Sequence, residues 1–463
     1  MNDFDIIIIG SGPGGYVAAI RASQLGMNVG VVERAEPGGI CLNWGCIPTK
    51  ALLKSAQVLE YCRHASDYGI NGGEATADFS AVIARSRGVA DAMSKGIQFL
   101  FKKHNIEIIR GFGRLKKKGI VEVDTEEAGL QIFNARHIII ATGARSRELP
   151  GIKQDGKRII GYREAMNLPS LPTSMVVVGS GAIGSEFAYF YRSMGTEVTL
   201  VEFLPRVLPL EDEEVSRTVE RSFKRMKMKV MTGSSVEKVD TTGEKCKVTI
   251  KTPRGEEMTE AEIVLSAVGV IPNIEGIGLE ECGIKTDRGK IVVDELYRTT
   301  AEGIYAIGDV VPGPALAHVA SAEAIVCVEN IAGYHPEPVD YSNIPACTYT
   351  TPEVASCGFT EEAARAAGKE IITGKFMFMG SGKASASGAR DGFVKLVFEG
   401  TDKKLIGAQM VGMNVTELIA SVVVARKMKA TAYDMMRSIH PHPTMSEAVM
   451  EAAAAALGEA IHA

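Results

Sequence analysis

The chain has 463 residues, 46% of them apolar and 23% charged, with a formal net charge of −5. That length holds about three domains with ample core. The mildly acidic balance excludes an electrostatic nucleic-acid binder and lends nothing to an anionic membrane partner, and no apolar run reaches the ~18 residues of a membrane span.

The first strand is expected at Phe4–Ile9, with no signal segment ahead of it, so a cytoplasmic location is expected. It opens the stretch "DIIIIGSGPGGYVAAIRASQLGMNVGVVER", which reads as strand, Gly-rich turn, amphipathic helix, strand. "SMVVVGSGAIGSEFAYFYRSMGTEVTLVEF" repeats the pattern later in the chain. The glycines are Gly10, Gly12 and Gly15 in one copy and Gly179, Gly181 and Gly184 in the other, and an acid follows the last glycine by 18 residues in both, Glu33 and Glu202. One glycine makes the tight turn, the next admits a pyrophosphate, and the third allows close helix–strand packing. The helix N-terminus attracts the anion, and the acid accepts ribose hydroxyls. Two such folds imply two dinucleotides. In the second, Glu202 repels a 2′-phosphate and Phe203 and Leu204 supply no cation, which favours NAD over NADP.

Between the repeats stands "ICLNWGCIPTK", with Cys41 and Cys46 five apart. Eight cysteines are sparse for this length, so a secreted disulfide framework is not expected. Zinc would require further ligands at defined spacing, and none accompany this pair. In a straight helix, residues five apart lie ~7.5 Å apart along the axis, whereas a disulfide wants Cα atoms within ~4.4–6.8 Å. The segment therefore predicts an irregular turn that brings the sulfurs together, followed by a helix through "TKALLKSAQVLEYC". A redox pair needs an electron source. A flavin accepts hydride from nicotinamide and passes an electron pair to sulfur. The first fold runs directly into the cysteines and is expected to hold FAD; the second is expected to hold NAD.

The "KKK" at 116–118 reads as a hairpin tip. Buried-strand patterns follow at 135–144, 261–273 and 303–310, each ending in small residues. The last places Asp309 at a strand's C-terminal end, where open α/β sheets bind ligands. From about Thr348 the pattern becomes an antiparallel sheet, "FVKLVF" and "LIGAQMVG", with Ala-rich helices, a separate domain suited to close packing against a second subunit. Near the C-terminus, "HPHPTMSE" holds His440 and His442, each before a proline, with Glu447 five residues past His442. A dithiol substrate must lose a proton before it attacks, and a histidine oriented by an acid supplies the base.

In family order, "GGICLNWGCIPTKALL", both glycine fingerprints, "ATG", "IYAIGD", "LAHVASAE" and "HPHPTMSE" resemble the pyridine nucleotide–disulfide oxidoreductases over essentially the whole chain. The resemblance implies an α/β protein with two Rossmann-like dinucleotide-binding domains and an α+β C-terminal dimerisation domain. The expected boundaries are FAD-binding 1–146, NAD-binding 147–275, central 276–347 and interface 348–463. It implies Cys41 as the thiol that meets the substrate, Cys46 as the thiolate against the flavin, His442 as acid–base and Glu447 as its orienter. Lys50 is implied beside the flavin, paired with Glu186. FAD is further implied at Glu33, Gly113, Thr142, Gly143, Asp309 and Ala317, and NAD at Glu202, Val236 and Gly269. The histidine would enter from the partner subunit of a homodimer. The implied reaction oxidises protein-bound dihydrolipoamide to lipoamide with NAD+, on a lipoyl-bearing protein of a 2-oxoacid dehydrogenase or glycine-cleavage complex. Within the family, the tail lacks the Cys–Cys expected of a mercuric reductase, Glu202 opposes the NADP of a glutathione reductase, and a flavin transhydrogenase would lack the cysteine pair. A non-catalytic nucleotide-binding subunit or redox sensor would have no need of Cys41, Cys46 and His442 together. Trp44 and Pro441 stand where the family often carries smaller residues, which bears on the substrate channel.

Overall fold

A computed structural model describes residues 3–125 and 128–462. The chain forms two compact units, one of residues 1–52, 80–147 and 270–339, the other of residues 53–79, 148–269 and 340–463.

The first unit begins with β1 (Asp3–Ile9), α1 (Pro13–Gln24) and β2 (Val29–Glu33). Ile6, Ile7 and Ile8 are fully buried, as expected of a parallel strand covered on both faces. The short helix α2 (Gly39–Trp44), the 18-residue α3 (Cys46–Arg63) and the 25-residue α4 (Phe79–Lys103) follow in sequence. The sheet runs in the order 107–110, β2, β1, 129–140, 120–125, 112–117. β1 pairs in parallel with β2 and with 129–140, so Ile9 lies beside Val32 and Ile140. Strand 304–306 pairs in parallel with the end of 129–140, and the hairpin 112–125 pairs antiparallel with its beginning. Lys116–Lys118 stand at that hairpin's tip, as expected.

The second unit contains a parallel sheet in the order 229–231, 197–201, 174–178, 263–266, 159–160 and a three-stranded antiparallel sheet, 235–240, 246–252 and 255–261. Its C-terminal part is an antiparallel sheet ordered 345–348, 353–358, 405–412, 393–399, 371–377, packed with helices Val415–Lys427 and Glu447–Leu457. Buried Lys395 reaches from this sheet to Asp212 (2.7 Å) and Glu214 (2.8 Å), at the start of helix Glu213–Arg225.

Three expected elements differ in detail. The 261–273 run is not one strand: Ile263–Ser266 joins the parallel sheet, whereas Val270–Pro272 pairs with Ala144–Ser146 in the first unit. The break falls at Gly269, whose φ of +100° no strand residue adopts. The 135–144 run likewise ends as a strand at Ile140. Thr142 turns aside there to donate its hydroxyl to the carbonyl of Asn273 at 2.7 Å. The helix after the cysteines starts at Cys46 rather than Thr49. The irregularity expected around it is confined to Gly45, at φ −148° and ψ −116°.

Candidate active site

The two glycine turns are built alike. A Cβ on Gly10 would collide with the Ala141 carbonyl, and one on Gly179 would lie 2.6 Å from that of Ala267. A Cβ on Gly15 would strike Gly10, and one on Gly184 would strike Gly179, so helix and strand close together only because both are glycine. Gly12 and Gly181 face open space at the N-termini of α1 and of helix Ala182–Met194. That is room for a pyrophosphate against unpaired amides.

The acids are equally matched. Glu33 accepts from the Ser11 amide (2.9 Å), the Ser11 hydroxyl (2.6 Å) and the Ala35 amide (2.8 Å). Glu202 accepts from the Ser180 amide (2.7 Å), the Ser180 hydroxyl (2.8 Å) and the Leu204 amide (2.8 Å). Both carboxylates are buried. A carboxylate offers about four acceptor positions, so one remains at each for a ribose hydroxyl. Sequence reasoning misses both serines, although "GSG" stands in both copies.

Further cofactor candidates lie in both units. Gly113 faces Val32, where a Cβ would approach to 2.8 Å. Thr142 and Gly143 form the turn bonded to Asn273, whose amide donates to the Gly143 carbonyl at 2.8 Å. Asp309 lies on a short 3-10 turn, and burial lifts its carboxyl above the ordinary range while Lys290 opposes the rise. The turn is pinned by Glu323, buried in helix Ala317–Ile331, which accepts from the Gly308 amide at 2.6 Å. Ala317 opens that helix. Glu323 belongs to "LAHVASAE", and only its burial marks it out. In the second unit, Val236 is buried on strand Ser235–Asp240 and Gly269 faces open space at the strand end. Glu186 is buried in helix Ala182–Met194 and accepts from the Tyr349 amide at 3.0 Å.

The cysteine turn is tied to the first cradle. Gly38 donates its amide to the Ser11 carbonyl at 3.0 Å, and a Cβ on Gly39 would come within 2.6 Å of Gly12. Cys41 lies on α2 and Cys46 opens α3. Both carry thiols. The hydrogen bond to Cys46 drives the Cys41 thiol well above its ordinary value, burial and the Cys46 charge add to the rise, and Lys50 opposes it. Tyr16 stands beside both: burial and then the charges of Cys41 and Cys46 raise its hydroxyl.

In the second unit, His442 Nδ1 lies 2.8 Å from Glu447 Oε1. The Thr444 amide donates to Glu447 Oε2 at 2.8 Å. That amide is the main reason the carboxyl sits below its ordinary range; burial opposes it and His442 adds to it. His442 is exposed, with its other ring nitrogen left to act. His440 bonds instead to the carbonyl of Ser438 (2.9 Å). Among the described residues, no cluster of three or more His, Cys, Asp or Glu is placed to hold a metal ion, and no helix is long and apolar enough to cross a membrane.

Comparison with known proteins agrees with this geometry. The family model for pyridine nucleotide-disulphide oxidoreductases matches residues 4–324, and the model for that family's dimerisation domain matches residues 344–453. The dihydrolipoyl dehydrogenase of Rhizobium etli is 47% identical, with 100% of each chain covered. That of Zymomonas mobilis is 46% identical, over 100% of this chain and 99% of its own. The solved structure of LpdA from Mycobacterium tuberculosis superposes with a TM-score of 0.91 at 28% identity, covering 98% of this chain and 99% of the other. With both models matched in order and relatives of this similarity over the full length, the chain belongs to the pyridine nucleotide-disulphide oxidoreductase family and carries its dimerisation domain.

Proposed function

We propose that this chain is a dihydrolipoyl dehydrogenase, oxidising protein-bound dihydrolipoamide with NAD+ through the Cys41–Cys46 pair. The observation that carries the proposal is the pairing of these two thiols on a turn fastened to the first dinucleotide cradle. Relatives bearing that enzyme's name, 46–47% identical over the whole length, support the choice of substrate. When bound, FAD would supply the two-electron carrier between sulfur and nicotinamide, and Gly10, Gly12, Gly15, Glu33, Lys50, Gly113, Thr142, Gly143, Asp309 and Ala317 would hold it. Gly179, Gly181, Gly184, Glu202, Val236 and Gly269 would hold NAD.

The protein's own chemistry is thiol–disulfide exchange. In the oxidised enzyme the substrate thiolate attacks Cys41, the Cys41–Cys46 bond breaks, and Cys46 leaves as the thiolate. The second substrate thiol then attacks the mixed disulfide, forming lipoamide and releasing Cys41. His442 takes the proton at Nε2 while Glu447 holds Nδ1 and stabilises the imidazolium. In this scheme Cys41 faces the substrate and Cys46 is the thiolate released toward the cofactor. The proposal includes a homodimer in which His442 of one subunit serves the thiols of the other, and a cytoplasmic setting that keeps the remaining cysteines reduced. The lipoyl group comes from a separate protein of a 2-oxoacid dehydrogenase or glycine-cleavage complex.

The test is steady-state turnover of the FAD-loaded enzyme with dihydrolipoamide and NAD+, against NADP+ and against glutathione disulfide with NADPH. Rapid NAD+ reduction by dihydrolipoamide alone is expected. Faster turnover with glutathione disulfide would overturn the assignment.

A further inference from the structure

The residues between the two cysteines are held from outside. Arg87 of α4 donates a guanidinium nitrogen to the Asn43 carbonyl at 2.6 Å, and its guanidinium carbon lies 4.1 Å from the centre of the Trp44 ring. Trp44 in turn directs its indole N–H toward Glu36 at 3.5 Å. Asn43 is itself buried and spends its side-chain amide on the carbonyls of Pro37 (3.1 Å) and Gly39 (2.9 Å).

The Asn43 carbonyl is the group a continuous helix would need. If α2 and α3 ran together, that oxygen would accept the Ile47 amide four residues on. Arg87 occupies it instead and closes the C-terminus of α2. On the other side of the break, the Gly45 carbonyl accepts from both the amide (3.1 Å) and the hydroxyl (2.6 Å) of Thr49. The bend at Gly45 is thus fixed from both flanks. A second nitrogen of Arg87, Nη1, is buried with no hydrogen-bond partner. Burial also pulls the guanidinium below its ordinary pKa, with Asp91 and Glu36 opposing. The half-buried side chain stays here despite one unpaired donor, held by the ring and the carbonyl.

A straight helix would separate the sulfurs beyond disulfide reach. We propose that Arg87, with Trp44 as its platform, is a positioning residue: it keeps the turn between Cys41 and Cys46 broken at Gly45 and so favours the disulfide over the dithiol. This rests on the redox role proposed for the pair, and it goes beyond that role in naming what sets the pair's equilibrium. Arg87 touches neither substrate nor cofactor in this scheme; it acts through the turn.

The test uses the FAD-loaded full-length enzyme equilibrated in oxidised and reduced dithiothreitol buffers, quenched in acid and alkylated. The mass of the peptide carrying Cys41 and Cys46 then gives the disulfide fraction. Arg87→Met is expected to move the equilibrium about tenfold toward the dithiol, ~30 mV for a two-electron couple. Arg87→Lys keeps the charge but loses the planar stacking and fork, and is expected to shift nearly as far. Trp44→Phe, which keeps an aromatic platform, should shift it less than threefold, and Arg87→Met with Trp44→Leu should fall short of the sum of the two singles. Trp44 is the only tryptophan in the sequence, so its emission should become more accessible to acrylamide in Arg87→Met. Wild-type equilibrium in Arg87→Lys would replace the clamp with a charge effect. Arg87→Met within twofold of wild type, even with a lowered melting temperature, would reduce Arg87 to a packing residue. A wild-type enzyme forming no Cys41–Cys46 disulfide at all would instead sink the redox reading itself.

Discussion

Glu211 offers a prediction that owes nothing to catalysis. It precedes helix Glu213–Arg225, its amide bonded to the Leu208 carbonyl at 2.9 Å. Its Oε2 is buried without a hydrogen-bond partner. Burial pushes the carboxyl up to about 7; the Ser356 hydroxyl opposes the rise and the neighbouring Asp212 charge adds to it. The unfolded chain releases this proton near 4.3, the folded one near 7. Between those values the folded protein binds more protons than the unfolded, so stability falls as pH rises. The contribution is whole below about pH 4 and lost above about pH 7. At ~1.4 kcal/mol per pH unit the gap is at most about 3.8 kcal/mol, and about 2 kcal/mol once water and local relaxation reach the carboxylate. Glu211→Gln keeps the shape and the contact with Ser356 but cannot ionise. In parallel melts of the FAD-loaded proteins by far-ultraviolet circular dichroism, the two should coincide near pH 4. Near pH 8 the variant should melt a few degrees higher. An equal gap at both pH values, of either sign, would refute the reasoning, because only a titrating carboxylate makes the difference depend on pH.

The remaining predictions bear on the site. His442→Gln should lower dihydrolipoamide turnover by about 10²–10⁴-fold with FAD content unchanged, read by stopped-flow reduction and by absorbance; near wild-type turnover would remove His442 as the base. Ser180→Ala deprives Glu202 of one donor, ~1 kcal/mol, and should raise the KM for NAD+ about fivefold while sparing FAD. Ser11→Ala should do the reverse, speeding FAD loss on dilution and leaving the NAD+ KM alone; effects that do not separate this way would refute the division of the two cradles. Lys395→Met leaves Asp212 buried without its 2.7 Å partner and should cost about 3–5 kcal/mol in urea unfolding, which Asp212→Asn added to it should partly restore.

Much of the fold and site is legible in the sequence because the local rules are strict. A glycine that must abut a carbonyl, an acid at fixed distance beyond it, and two cysteines that no straight helix can join each leave one sensible reading. The C-terminal antiparallel strands and the lysine-tipped hairpin are readable from alternation and turn chemistry. The features that escape a sequence reading are set by partners distant in the chain. The 261–273 run divides because Val270–Pro272 finds Ala144–Ser146 across the whole of residues 147–269, a pairing no local pattern encodes. Arg87 on a solvated-looking stretch of α4 and Glu323 in a helix interior carry no local signal either, since each acts on a backbone group of a remote segment, the Asn43 carbonyl and the Gly308 amide. The start of α3 differs from expectation because Pro48 reads locally as a first-turn residue, whereas Thr49 caps back onto Gly45 and carries the helix to Cys46.

The two cradles raise a sharper point about where chemistry is placed. After its acid, each repeat returns to the serine of its own turn: Gly38 donates to the Ser11 carbonyl at 3.0 Å, and Leu208 donates to the Ser180 carbonyl at 3.1 Å. Up to that tether the copies share the same glycine–carbonyl contacts and the same acid contacts, so neither the fingerprint glycines nor the acids distinguish the two turns. The difference lies in the next few residues. In the first copy the tether is succeeded by Gly39, whose missing side chain lets the chain press against Gly12, and the two thiols come at once after it. In the second it is succeeded by Asp212, which caps helix Glu213–Arg225 by accepting the Glu214 amide at 2.9 Å and anchors Lys395. One tether thus delivers a redox pair to a phosphate turn, while the other delivers a charged brace to the C-terminal sheet. Exchanging cofactor preference would therefore require changing the residues beyond the tether as well as the cradle, and a Glu202 substitution alone should weaken NAD+ without converting the second site into a flavin site.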